Sequence, residues 1–221
     1  MSNEHPRFAP FQLDFSNSIP LIVISSQLAA PSPDSPLEAF PDDTAGNLSW
    51  SQERVHWQLL MQDPPAFIYA LEQIITKRTW PHGWIAELTD VWLELAIAEC
   101  VEFCIVSAFK KGLPTPCDVA LTALLKNLLL DYSVSQVFEL LGASIDDAAD
   151  FTERKYISQQ RAESFMVGAC QRRADLARAE GATIRGLPRD PMLGRTQASH
   201  VLHDVFFGHG EAGFFSAIPR A

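Results

Sequence analysis

Apolar positions along the chain follow two regimes. Through residues 1–48 they alternate or cluster: Phe11-Gln-Leu13-Asp-Phe15 has period two, and Leu21-Ile-Val-Ile24 is rich in β-branched side chains. Both patterns predict strands, and Asn17-Ser18 between them permits a turn, so a small hairpin is expected, with Pro20 confining its strand to an edge. Pro31-Ser-Pro-Asp-Ser-Pro36 and Pro41-Asp-Asp43 read as an extended linker. Residues 1–48 are therefore expected to be an arm, not a domain.

From Leu48 the spacing turns helical. Ser49 with Gln52 reads as a capping box ahead of Val55, Leu59 and Leu60, and Asp63-Pro-Pro65 as the stop of that helix. Phe67, Ile68, Leu71, Ile74 and Ile75 then fall at i, i+1, i+4, i+7 and i+8, an amphipathic stripe. Trp80–Trp84 predicts a turn. The most apolar stretch is Trp84–Lys111, where Glu87, Asp90, Glu94 and Glu102 share one narrow stripe and Glu99 lies off it. A helix so widely apolar is normally surrounded by others. It is the expected core helix, closed by Lys110-Lys111-Gly112.

Thr115-Pro116-Cys117-Asp118 supplies a cap, a proline at the first helical position and an early acid for the next helix. That helix carries Leu121, Leu124, Leu125, Leu128 and Leu129 inward. Ser133 with Gln136 caps a short helix ending at Gly142, and Ser144 with Asp147 caps another that can run to Glu180 before Gly181. A Gly/Pro-rich stretch follows, then a last helix at Thr196–Phe207. The expected fold is mainly α: a multi-helix orthogonal bundle with a helix-turn-helix-like segment and a short N-terminal extended arm. Its divisions are 1–48 (arm and linker), 49–131 (acidic helical core) and 132–221 (helix-turn-helix-like segment, long Arg-rich helix, Gly/Pro-rich tail).

Length and composition leave that picture standing. With 221 residues, 47% hydrophobic and 20% charged, the chain can bury a sizeable core and is not compositionally disordered. A net charge of −10 argues against non-specific polyanion binding as a whole. The charge is uneven, however. Residues 1–151 hold 7 basic and 20 acidic side chains, and residues 152–221 hold 10 and 7, so a nucleic-acid contact belongs in the C-terminal third. Cys100, Cys104, Cys117 and Cys170 form no C-x-x-C pair and sit in apolar helical stretches, which predicts reduced, buried thiols. The start, Met1-Ser-Asn-Glu-His-Pro-Arg7, lacks the pattern of a signal peptide, and acids interrupt Trp84–Phe109 too often for a membrane span. A cytoplasmic chain without a membrane partner is expected.

One motif carries a resemblance. Ser133, Val134, Val137, Leu140, Gly142, Ser144 and Ile145 are spaced as two short helices packed across a glycine turn. These twenty or so residues resemble a bacterial helix-turn-helix of the lac-repressor and resolvase sort, which implies a second helix reading a DNA groove. Two positions depart from it. Phe138 stands where that family usually has alanine, and Asp146, Asp147 and Asp150 place carboxylates where phosphates would come. As first-turn acids, Asp146 and Asp147 instead favour the dipole of a helix starting there.

Three further features bear on chemistry. Arg154, Lys155, Arg161, Arg172 and Arg173, with Arg178 and the loop residues Arg185, Arg189 and Arg195, form a basic series suited to phosphate or carboxylate. Read otherwise, it is a solvated face, or a surface that docks the acidic half of the same or a partner chain. His200, His203 and Asp204 share a helical face, and His209 and Glu211 return after it, a set of ligands for zinc or another divalent ion. The alternative buries Val201, Leu202, Val205 and Phe206 and leaves the histidines on the polar side. No G-x-S-x-G, P-loop or G-x-G-x-x-G is present, and no cofactor is implied. The reading is a regulatory protein with a degenerate helix-turn-helix, DNA-associated and homodimeric. The alternative is a non-catalytic helical protein-interaction module, and the third is a metal-dependent enzyme around His200–Glu211.

Overall fold

A computed structural model of the chain describes residues 7, 9–10, 27–40, 54–115, 118–155 and 158–219; at 82, 86, 118, 154, 155, 159 and 160 only the backbone is described. The expected hairpin over 11–24, the capping box at Ser49 and Gln52, and Cys117 lie outside the described residues. The chain is mainly helical with one small antiparallel sheet, and it divides into two units, residues 17–79 and residues 1–16 with 80–221.

In the smaller unit, strand β1 (Ala29–Pro31) pairs with β2 (Trp57–Leu59) in the register Ala29–Leu59, Ala30–Gln58, Pro31–Trp57. Over the described residues 54–60 this corrects the helix expected between the Ser49 cap and Asp63. Val55, Trp57 and Leu59 also fit period two, and the Ser35 hydroxyl fixes the extended choice. It accepts from His56 N–H at 3.0 Å and donates to His56 C=O at 3.1 Å, taking both groups that a helix would use. Asp63 likewise begins a helix instead of ending one. Its carboxylate accepts from Ala66 N–H at 3.0 Å, and Pro64 and Pro65 fill positions where no N–H is needed. The resulting helix α1 (Pro64–Lys77) ends at Arg78 in the left-handed region, φ 51°.

The larger unit is built around α2 (His82–Lys110), the expected core helix. Every residue from Leu95 to Cys104 is buried, so this part of the helix is enclosed on all sides. Helices α3 (Asp118–Leu128) and α4 (Val134–Lys155) pack on it, and α5 (Gln159–Glu180) packs along α4 and closes on Gly181 at φ 62°. Cys100, Cys104 and Cys170 are free buried thiols, and burial pushes Cys104 and Cys170 up to about 12.

The helix-turn-helix is the principal correction. The Ser133–Gln136 capping box forms as expected: Ser133 N–H donates to Gln136 Oε1 at 3.0 Å and Gln136 N–H to Ser133 Oγ at 3.3 Å. The helix it opens runs on to Lys155, straight through Gly142 and Ser144. Ser144 caps nothing. Its hydroxyl turns back to the Leu140 carbonyl at 2.7 Å, as serine does inside a helix. Phe138 stacks on Phe103 with ring centres 4.1 Å apart and meets Phe214 edge-on at 5.2 Å. The second expected helix therefore starts at Gln159 and not at Ser144.

After α5 the chain runs without regular structure to α6 (Gln197–His200), whose N-cap Thr196 accepts from Ser199 N–H. This helix continues as a π-helix over Val201–Phe206, and α7 (Ala212–Phe215) follows. The wider π turn alters the expected burial. His203 is buried at 3% exposure and Val201 is exposed, opposite to the predicted faces. No helix among the described residues is long and apolar enough to cross a membrane.

Residues 184–187 dock on the first turn of α4. Gln136 Nε2 donates to Ile184 C=O, Ser135 Oγ to Leu187 C=O, and Leu187 N–H to Ser135 C=O. A Cβ at Gly186 would lie 2.0 Å from Ser135 Oγ and 2.9 Å from its Cβ, the rigid base of a helical side chain. Gly186→Ala is thus expected to cost about 1–3 kcal/mol in urea unfolding, the usual cost of overpacking. Gly194→Ala, with nothing within 4 Å of the added carbon, serves as control.

Candidate functional site

The strongest polar constellation begins with a buried carboxylate. Glu99 is 5% exposed in the enclosed part of α2, where an uncompensated charge is costly. Arg189 answers it with a fork: Nη1 donates to Oε1 at 3.0 Å and Nη2 to Oε2 at 3.3 Å. Burial pushes the Glu99 carboxyl up, and the Arg189 guanidinium opposes that rise. Glu102, 4% exposed, is paired in the same way by Arg7, whose backbone carbonyl also accepts from Gln197 N–H at 2.8 Å. Glu102 thus leaves the exposed acidic stripe, of which Glu87, Asp90 and Glu94 remain.

Arg195 forms the second fork. Nη2 donates to Asp204 Oδ1 at 2.7 Å and Nη1 to Oδ2 at 3.0 Å, and this partner holds the Asp204 carboxyl below the usual carboxylate range. The Arg189 guanidinium lies over the Phe214 ring at 4.2 Å. Glu211 faces both arginines, Oε2 3.5 Å from Arg189 Nε and Oε1 3.4 Å from Arg195 Nε. Neither contact is a hydrogen bond, and both Nε atoms are buried without a hydrogen-bond partner among the described residues, as are Trp92 Nε1 and His203 Nδ1. His203 meets Trp92 edge-on at 4.9 Å. Burial first, then the Arg195 and Arg189 charges, depress it to about 4, so it is neutral at pH 7.

The four candidate metal ligands do not assemble into one set. His200 is exposed and pairs with Asp204, which Arg195 already occupies. His203 and His209 both lie against Trp92, and among the described residues no three His, Cys, Asp or Glu gather within reach of one ion. Of the candidate nucleic-acid residues, Arg154 and Lys155 have side chains outside the description. Arg161 and Arg172 are exposed, Arg172 over the Phe165 ring. Arg173 bonds Asp147 at 2.6 Å, and Lys111 pairs with Asp146. Arg178 bonds Asp131, Asp175 and Asn127. An open cleft of about 300 Å³ between α4 and α5 carries Arg173 and Arg185 but also Glu139 and Glu180, so its lining has no single sign.

Sequence reasoning saw Arg189 and Arg195 only as members of a basic series. The available signal was Glu99, the one acid off the stripe of its helix. No family model, curated protein or solved structure matches the chain.

Two measurements check this geometry. Arg189→Met leaves Glu99 buried and unpaired, and is expected to cost about 3–5 kcal/mol in urea unfolding. Adding Glu99→Gln should recover part of that loss, because the orphaned charge is gone. The second measurement concerns pH. His203 takes up its proton near 6.5 when unfolded but only near 4 when folded. Between those values the unfolded state binds more protons, so stability falls as pH drops from 6.5 toward 4. The urea midpoint of wild type should drop more between pH 7 and pH 4.5 than that of His203→Leu.

Proposed function

We propose that the chain is a non-catalytic helical interaction module and that its docking element is the apolar face of α1. The supporting observation is the lack of burial in that unit. Among the described residues of 17–79 only Ala29, Ala39 and Val55 are buried. The stripe Phe67, Ile68, Leu71, Ile74 and Ile75 contains no buried residue, and Trp57, Leu59 and Leu60 are exposed beside it in sequence. The described elements of this unit, a two-stranded sheet, a short 3-10 turn and one amphipathic helix, bury little apolar surface among themselves, which favours association as the source of further burial.

The occupant we commit to is a second copy of the chain. An apolar helix face is self-complementary across a two-fold axis, and α1 carries Glu72 against Lys77 and Arg78 for pairing across that axis. The DNA-associated reading has less support. It needed a turn at Gly142 and unpaired cations, whereas Arg173 and Arg178 are engaged with carboxylates. A metal-dependent enzyme has less still, because its ligands do not converge.

Light scattering after gel filtration, across a concentration series, tests the proposal. Wild type is expected to dimerise, and Ile74→Asp to remain monomeric with unchanged helicity. A strict wild-type monomer at high micromolar concentration overturns it. Duplex binding by fluorescence anisotropy that falls steeply with salt would put the DNA reading in its place.

A further inference from the structure

We propose that Arg189 and Arg195 form a carboxylate-recognition site whose resident occupant is the chain's own Glu211, displaceable by a small carboxylate. All its residues belong to the larger unit. Each arginine spends its terminal nitrogens on an internal acid, Arg189 on Glu99 and Arg195 on Asp204, which fixes both guanidinium planes. Phe214 beneath Arg189 and the Ser199 carbonyl, which accepts from Arg195 Nη2 at 3.2 Å, hold them further. On each guanidinium the nitrogen left buried without a hydrogen-bond partner among the described residues is Nε. A pair of fixed donors facing one point suits the two oxygens of a single carboxylate, because the cost of orienting them is already met by the fold.

Glu211 marks that point. Its two oxygens divide between the two Nε atoms at 3.5 and 3.4 Å, close enough for attraction but outside hydrogen-bond geometry. Its side chain is 54% exposed, against 15% for Arg189 and 19% for Arg195, so the anion sits at the mouth and the cations behind it. The tether explains the imperfect fit. Glu211 leads directly into α7, where Gly213 lies against His203 so closely that an added Cβ would meet Nδ1 at 2.2 Å. The backbone behind Glu211 cannot move inward, and a free carboxylate has no such restraint. His203, neutral at pH 7, neither repels nor replaces the anion.

The test uses the full chain at pH 7, comparing thermal unfolding in sodium acetate with sodium chloride of equal ionic strength. Glu211→Ala is expected to gain about 3–5 °C in acetate at ten times its Kd, with saturation, by preferential binding to the folded state. Wild type should need at least about tenfold more acetate for the same gain, because its tethered carboxylate competes at a high effective concentration. Adding Arg195→Lys to Glu211→Ala removes one Nε and should abolish the acetate-specific gain. A short acidic peptide at equal carboxylate concentration forms a second arm. A larger gain there than in acetate assigns the ligand to a protein side chain; an equal or smaller one assigns it to a free acid. Equal behaviour of Glu211→Ala in chloride, acetate and peptide overturns the proposal, as does a gain that survives Arg195→Lys. Should Glu211→Ala fail to fold, Glu211→Gln keeps the shape without the charge, and its lack of any acetate-specific gain would overturn the proposal equally.

Discussion

The enclosed part of α2 holds two carboxylates, and a charge buried there must be paired. Glu99 and Glu102 lie in its enclosed part, and the several kcal/mol that each bare charge would cost must be offset by a partner of good geometry. The partners come from far along the chain, Arg189 for Glu99 and Arg7 for Glu102. That requirement organises the C-terminal third of the molecule. Arg189 brings the irregular segment after α5 onto α2, its guanidinium seats Phe214, and Phe214 in turn contacts Phe138 of α4. Arg7 is itself held to the same helix and, through its carbonyl, to Gln197. Residues outside regular structure are thereby tied to the helices.

The uneven charge of the sequence has the same origin. An acidic first half and a basic last third look like a surface waiting for phosphate, but much of the basic side is spent within the chain. Arg173 meets Asp147, Arg178 meets Asp131, and Arg189 meets Glu99, each a cation from the last third on an acid from before it. The exposed pairs contribute at most about 1 kcal/mol each. Their importance is negative: a guanidinium engaged with a carboxylate must give that up before it can take a phosphate.

The amphipathic stripes, the enclosed helix and the Ser133–Gln136 cap were legible because each is a local pattern with one structural solution. The helix-turn-helix misled for an equally local reason. Glycine followed two residues later by serine reads as a turn and a cap, but the period Val134, Val137, Phe138, Leu141, Ile145, Ala148 continues across them, and all six are buried. A hydroxyl with an i−4 carbonyl in reach needs no helix end. Two acids that resemble a first turn instead have cations brought by α5 and by the end of α2. The π-helix was not legible at all. Its extra residue per turn moves His203 inward and Val201 outward, and neither residue type announces that shift.

The two units therefore satisfy opposite demands. In the larger one, the buried carboxylates of α2 have found partners, and the Nε atoms of Arg189 and Arg195, buried without a hydrogen-bond partner among the described residues, face one carboxylate of modest fit. In the smaller one, few of the described apolar residues are buried. Unmet hydrogen bonding is directional and selects a ligand by shape and charge, whereas unmet apolar burial is non-directional and selects by area. In the function proposed above, association is driven at the apolar unit and discrimination among small anions is confined to the arginine pair.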